Sequence, residues 1–426
     1  CNLLSTNSQK TLPMISVGIL TAPRINVSFQ GAWTCNGAPI RRRDIVVSCP
    51  TEFVPSDSGA TFTLHNVTIG IDYHWQRQES QTFRGTLRVI SDGDDLTAVN
   101  IVPIEEYLVS VISSEMKPTA HLEFLKAAAV ISRSWAIKQK EHHAMPHQHA
   151  TTPPNAPSDI IITWQDHQDH TLYDVCADDH CQRYQGITRI TNHNAQLAVR
   201  QTARQVLTYE GKVCDCRFSK CCGGMTEDYA TCWEDYNVPY LQPVADTDPQ
   251  FGHAFCDTCD KRILEQVLNS YDLETTDFYR WTVSLTQQHL QELLKKKLQR
   301  NIGQVRALHP IKRGKSGRIS QLLIDGTDGH LTIGKELTIR SSLSESHLYS
   351  SAFTVDASDT DANGIPKSFV LHGKGWGHGV GLCQIGAAVM ADKGYSYQQI
   401  LQHYYPHTTL QTIPTDGKGA FPFSLH

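Results

Sequence analysis

No apolar run in this chain of 426 residues approaches the roughly 20 residues that a bilayer-spanning helix needs. No tract of lysine and arginine stands out either. Net charge is -5 and the sequence pI is near 6.5, so nucleic acid is not an expected partner. No internal repeat is visible, which argues against a repeat architecture. The 40% hydrophobic content over this length is enough for a large core and too much for one compact unit, which predicts two or three subdomains.

What the chain has in excess is cysteine, thirteen in all. Beyond Cys1 they cluster as Cys35 and Cys49; Cys176 and Cys181; Cys214, Cys216, Cys221, Cys222 and Cys232; Cys256 and Cys259; and Cys383. A cytosolic protein rarely carries so many without metals, so the count predicts disulfides in an oxidising compartment, or a zinc site with disulfides beside it. Connectivity is not readable from spacing. A start at Cys1, followed by Asn2, Leu3 and Leu4, is what lipoprotein signal cleavage leaves. Membrane contact is therefore expected only through a lipid on Cys1, with residues 1–12 as a tether.

Residues 13–103 read as β. Ile15–Leu20 and Thr61–Leu64 are apolar or alternating runs, and Phe83–Ile90, a turn at 91–95 and Leu96–Val102 read as a hairpin. Residues 104–140 switch to helical period. His142–Pro157 reads as an exposed loop, and its histidines lack a metal-binding spacing. Short strands and loops follow to residue 250, then a helical stretch at Gln287–Leu298 and strands over 304–355. Near the end, Ser396 and Gln399 form a capping box ahead of Tyr397, Ile400, Leu401 and Tyr404, and Pro406 ends that helix. The expectation is an α+β fold: a β-rich N-terminal subdomain (13–103), a central two-helix segment opening a catalytic region (104–412) of mixed sheets and loops, a C-terminal helical part, and a tail (413–426).

In the first helix Leu108, Val111 and Ile112 share a face, and Glu115 is the next position on that stripe. Pro118 places Glu115 near the helix end. Burial and the negative helix terminus both push its pKa up, which is what a general acid requires. Glu105 and Glu106, at the helix start, look structural. A second helix is expected to begin at Thr119 as N-cap, with Leu122, Leu125, Ala129, Ser132 and Ala136 as its packing face. Lys126 and Arg133 on another face read from composition as solvated charges.

His170, Cys176, His180 and Cys181 lie within twelve residues and suit tetrahedral zinc or, alternatively, a disulfide. A turn is needed to bring both His180 and Cys181 inward. Five glycines in nine residues, Gly373 to Gly381, cannot be a core element and read as a substrate-lining loop before a helix. Cys383 near His378 raises a cysteine-nucleophile reading, but no third orienting group is in view.

The stretches Val102–Leu108, Ser114–Pro118, Leu125–Val130 and Ser132–Ala136 together closely resemble the signature of the stage II sporulation protein D (SpoIID/LytB) family. So do Arg217–Glu227, Gly373–Ala387 and Ser316–Ile319. The resemblance runs from about residue 80 to 412. It implies Glu115 as the catalytic acid and base of a lytic transglycosylase acting on peptidoglycan glycan strands and leaving anhydro-muramic ends. It also implies a structural zinc on His170, Cys176, His180 and Cys181. Substrate contacts are implied at Lys126, Arg133, Tyr184, Ser219, Gly223, Gly224, Thr226, Trp376, Gly377, His378, Gly379 and Gln384. Departures are Lys117 before the proline, Trp135 in place of a tyrosine, and two cysteines, Cys221 and Cys222, before Gly223 and Gly224, which bring extra disulfides into play, with Cys232 as one partner. A non-catalytic enhancer of a cell-wall amidase is the rival reading, and a zinc amidase a third. A lipid-anchored, periplasmic place in the cell envelope is expected.

Overall fold

The computed structural model describes residues 13–70, 76–117, 119–143, 159–164, 170–190, 193–250, 252–267 and 277–414. Cys1 and its tether, Pro118, His147, His149, His167 and the tail from 415 lie outside the described residues.

The fold is α+β. A seven-stranded sheet runs in the order Val175–Cys176, Met14–Ala22, Asp95–Pro103, Thr86–Asp92, Thr51–Pro55, Trp33–Cys35, Ala38–Pro39. A four-stranded sheet, Asp44–Val47, Ile25–Gln30, Thr61–Ile69, Arg77–Phe83, packs against it. Their inner faces meet through Phe29 on Phe53 (ring centroids 4.8 Å) and Trp33 on Phe62 (5.8 Å). The expected hairpin around residues 91–95 is present, with Asp95 opposite Asp92. Its first strand is shorter than the apolar run suggested. Phe83 ends a strand of one sheet and Thr86 begins a strand of the other. The chain crosses between them at Gly85, whose φ is +86° and where a Cβ would lie 2.4 Å from the Ile101 carbonyl oxygen.

Helix α1 (Ile104–Glu115) and helix α2 (Leu122–His143) follow. The second begins two residues later than Thr119 as N-cap suggested, because a turn from Lys117 O to Ala120 N comes first and His121 Nδ1 accepts from the Glu123 N–H. Between Phe124 and Ala136 only Lys126 escapes full burial. A helix buried all round is a core element, not an amphipathic one. Ala127, Ala128, Ala129, Ser132 and Ala136 let α1 and the helices His193–Gln201, Gln384–Asp392 and Tyr397–Tyr404 approach closely.

One hydrophobic core extends from Ile15 to Tyr405 through both N-terminal sheets and these helices. A second, from Trp281 to Leu371, joins the sheet Arg280–Thr286, Pro366–Lys374, Phe353–Thr360 to the sheet Ile160–Ile162, His330–Gly334, Ile319–Gly326, Val305–Arg313, with helix Gln287–Leu298. The core therefore does not divide at residue 103. The capping box at Ser396 and Gln399 forms as the sequence predicted.

Candidate active site

Helix α1 ends on Glu115 because Met116 leaves the helix in an extended conformation, its N–H still bonded to Ile112 O. Leu108, Val111 and Ile112 anchor the buried face. That geometry delivers the half-buried Glu115 carboxyl to a cleft of about 860 Å³, also lined by Arg183, Lys220, Trp376, His378 and Gln384. Oε1 of Glu115 accepts the Arg183 backbone N–H at 2.8 Å. Among the described residues Oε2 has no hydrogen-bond partner. Burial raises the pKa of this carboxyl, and the Asp179 carboxylate raises it further; the Arg183 charge and N–H and the Lys220 ammonium oppose the shift without reversing it. Asp179 is itself ion-paired to Arg183, 2.5 Å from Oδ1 to Nε. Burial thus favours the protonated form of Glu115, beside an Asp179 carboxyl that is ion-paired to Arg183.

The four Cys and His donors stand on the segment just before Arg183. Val175 and Cys176 pair in parallel with Val17 and Gly18, which adds the segment to the edge of the seven-stranded sheet. A Cβ on Gly18 would lie 2.4 Å from the Tyr173 ring, so only glycine admits that crossing. The turn that His180 and Cys181 require is present: Cys181 N–H bonds to Asp178 O at 3.0 Å. The donor atoms lie within 4.8 Å of one another. His170 Nε2 is 3.2 Å from His180 Nδ1 and 3.4 Å from Cys181 Sγ; His180 Nδ1 is 3.5 Å from Cys181 Sγ and 3.9 Å from Cys176 Sγ. Tetrahedral bonds of about 2.0–2.3 Å to nitrogen and sulfur give edges of roughly 3.3–3.8 Å, and these separations fall within or about 0.1 Å outside that range.

The two glycine loops are tied to each other. Cys221 and Trp376 exchange backbone hydrogen bonds of 3.0 and 2.8 Å, and Phe218–Ser219 pairs in parallel with Leu382–Cys383. The fully buried Arg318 bonds to both loops, through Gly377 O (3.0 Å), Cys222 O (3.2 Å) and Cys221 O (3.4 Å). Gly379, at φ +77°, leaves room for it: a Cβ there would lie 2.3 Å from the guanidinium carbon. His378 Nδ1 accepts the Val380 N–H at 3.0 Å. Burial, then the charges of Arg217, Arg318 and Arg340, hold its pKa well below the ordinary histidine value, so the ring is neutral, and a hydrogen bond to the Phe218 backbone ties it to the first glycine loop.

The structure brings Glu115, Tyr184, Ser219, Trp376, Gly377, His378 and Gln384 to the cleft, together with the four Cys and His donors. Ser219 Oγ and Gln384 Nε2 are buried with no protein partner among the described residues. Tyr184 is engaged elsewhere, its hydroxyl on Asn100 Oδ1 at 2.6 Å and its ring 5.2 Å from Tyr107, and Trp376 stacks on Phe278 at 4.7 Å.

Lys126 and Arg133 are not among the cleft residues. Lys126 pairs with Glu123 at 2.6 Å. Arg133 is neither solvated nor at the cleft; it is wholly buried and bidentate on Glu105, at 2.9 and 2.7 Å. Thr226 is a loop brace, its Oγ accepting the Val244 N–H at 2.7 Å. Gly223 packs on Gly375 and Gly224 on Tyr279, while Gly379 packs on Arg318. No disulfide joins the twelve described cysteines, and Cys232 Sγ faces His378 O at 3.6 Å. Cys383 and His378 do not pair: the Cys383 sulfur accepts from Cys222 N at 3.2 Å and Gly386 N at 3.4 Å. Sequence reasoning missed Asp179 and Arg183. Their i, i+4 spacing of opposite charges, beside a donor segment already singled out, was the available signal.

Residues 92–209 match the family described as Stage II sporulation protein. Residues 227–381 match a domain of unknown function (DUF8618). An uncharacterized protein of Brachyspira hyodysenteriae (strain ATCC 49526 / WA1) is 30% identical over 345 residues, covering 81% of this chain and 72% of that protein. The amidase enhancer of Bacillus subtilis (strain 168) is 28% identical over 321 residues, 71% of this chain but only 40% of that relative's length. Stage II sporulation protein D of Bacillus amyloliquefaciens is 26% identical over 311 residues, 72% of this chain and 74% of that protein. The chain belongs to the stage II sporulation protein D family, and with it to proteins of cell-wall-related role in the envelope. No helix among the described residues is long and apolar enough to cross a membrane.

Proposed function

We propose that this chain cleaves peptidoglycan glycan strands as a lytic transglycosylase, with Glu115 as single general acid and base, and that His170, Cys176, His180 and Cys181 hold a structural zinc ion. The observation that carries the reading is the state of the Glu115 carboxyl: Oε1 is engaged by the Arg183 N–H, Oε2 is left to the cleft, and burial favours the protonated form.

Oε2 donates its proton to the leaving glycosidic oxygen. The resulting carboxylate takes a proton from the C6 hydroxyl of the muramic acid as that hydroxyl closes on the anomeric carbon. One carboxylate serves both transfers, whereas glycosidases that use water as acceptor need a second one as base or nucleophile. The Asp179 carboxylate, ion-paired to Arg183 at the cleft, favours positive charge developing at the anomeric carbon. Ser219 Oγ and Gln384 Nε2, which lack a protein partner among the described residues, are the polar groups left to orient the sugars, with the neutral His378 ring beside them in the cleft.

Zinc would supply no Lewis-acid step, because four protein donors leave no open position; it would fix the turn that presents Arg183 to Glu115. The same count argues against a zinc amidase. Mass spectrometry of purified glycan strands after digestion tests the reading. Anhydro-muramic ends are expected; reducing ends would mean hydrolysis instead.

The name of the Bacillus subtilis relative favours one rival, a non-catalytic enhancer of a cell-wall amidase. Unchanged glycan, together with faster cleavage by an added amidase, would establish that reading in place of the first.

A further inference from the structure

Behind the glycine loops lies a second cluster of donors. Cys222, Asp246, Cys256 and Cys383 are each no more than 1% exposed, and one donor atom from each lies within 4.8 Å of the others. Cys222 Sγ is 3.5 Å from Cys256 Sγ and 3.4 Å from Asp246 Oδ2. The four come from three separate parts of the chain. Cys222 is on the loop that carries Ser219, and Cys383 caps helix Gln384–Asp392. Asp246 and Cys256 flank a short turn in which Thr247 bridges Ala254.

Two further observations point to a ligand. Asp246 is a fully buried carboxylate with no lysine or arginine partner among the described residues; the one ionisable base near it is His403, whose Nε2 is 3.7 Å from Oδ1. Burying a carboxylate without a countercharge is costly, and a divalent cation removes that cost. The donors are also oriented from outside, as metal ligands are. Tyr404 OH donates to Asp246 Oδ1 at 2.6 Å and Cys256 N to Oδ2 at 3.1 Å, while Cys222 N and Gly386 N donate to Cys383 Sγ. Gly386 has no Cβ where one would lie 2.2 Å from the Tyr404 hydroxyl and 2.8 Å from Asp246. A disulfide between two of the three cysteines would leave the third thiol and the buried carboxylate unexplained.

We propose that Cys222, Asp246, Cys256 and Cys383 form a second metal site, for a thiolate-preferring divalent cation of the zinc class. Three sulfurs and one carboxylate oxygen suit tetrahedral zinc, and with all four positions filled by protein the ion is structural. It staples the two glycine loops and the Asp246–Cys256 turn behind the cleft. The site shares no residue with the His170 cluster and does not depend on the activity proposed above.

The test is metal analysis of the full chain, purified after expression with zinc, in parallel with Cys256→Ser, Asp246→Asn and Cys176→Ser. Two equivalents are expected in the unaltered chain and one in Cys256→Ser. Cys176→Ser reports on the other cluster, so the two assignments fail separately. Asp246→Asn keeps the side-chain shape if the serine variant does not fold; in cobalt-substituted protein it should weaken metal retention and shift the visible spectrum. Zinc content equal to the unaltered chain in Cys256→Ser, with an unshifted cobalt spectrum in Asp246→Asn, would overturn the proposal. So would a non-reduced peptide map, analysed by mass spectrometry, that shows Cys222 joined to Cys256.

Discussion

The Arg183 backbone N–H donates to Glu115 Oε1 at 2.8 Å, and this contact ties the end of helix α1 to the segment carrying the His170, Cys176, His180 and Cys181 donors. It orients the carboxyl so that the second oxygen faces the cleft. Glu115→Gln preserves the accepting oxygen and the shape but cannot cycle a proton. General acid–base groups contribute about 10² to 10⁴-fold in rate, so release of anhydro-muramic products should fall by at least that range. Glu106→Gln, on an exposed position of the same helix, should change little. A folded Glu115→Gln protein that still cleaves at the unaltered rate would remove Glu115 from the mechanism.

Burial also gives Glu115 a signature in stability. Its folded pKa lies above the ordinary 4.5, so between those two values the native state keeps a proton that the unfolded chain has released. Stability therefore falls as pH rises through that window. Glu115→Gln has no such proton to lose. Its Tm relative to the unaltered chain should rise as pH is raised from 4.5 through neutral, and thermal melts across that range check it. A constant difference would mean that the carboxyl is not displaced. The same displacement predicts a loss of activity on the alkaline side, where the acid form disappears.

Lys126 and Arg133 separate a surface pair from a buried one. Removing one partner of a buried ion pair leaves the other charge uncompensated, at a cost of about 3–5 kcal/mol. Arg133→Ala strands Glu105 in this way, so its urea midpoint should drop steeply. Lys126→Ala breaks an i, i+3 pair and should cost roughly 0.5 kcal/mol or less. At a temperature where both are folded, each should retain cleavage, since neither borders the cleft. A selective kcat loss in Arg133→Ala without destabilisation would return that residue to the site.

The place of Glu115 was legible because helical periodicity and the following proline indicated where α1 stops and which face Glu115 shares. The donor set was legible because its four members are close in sequence. Arg133 was not, since composition cannot distinguish a solvated arginine from one whose carboxylate partner is 28 residues away in the chain. The Cys222, Asp246, Cys256, Cys383 cluster was hidden for the same reason: its members reach across 161 residues, from Cys222 to Cys383. The second core between Trp281 and Leu371 was read only as separate strands and one helix, because alternation reports which residues face inward but not which sheets share an interior.

Metal loss at the first cluster should act on the chemistry through position. Cys176→Ser removes one thiolate from a set whose donor atoms lie within 4.8 Å of one another, and repulsion and desolvation then act on what remains. Structural zinc contributes folding free energy, so one equivalent of metal and several degrees of Tm should be lost together. The turn from Asp178 to Cys181 would loosen, and with it the Arg183 N–H that holds Glu115 Oε1. Cleavage per folded molecule should therefore fall in kcat more than in KM, since the acid is misplaced while the sugar-binding groups on the glycine loops stay in place. Glu115→Gln must keep its zinc in the same assay, which separates loss of the acid from loss of its support. If Cys176→Ser retains the full metal content, the four residues do not bind zinc, and the contact between Arg183 and Glu115 owes its geometry to the sheet edge at Val17 and Gly18 alone.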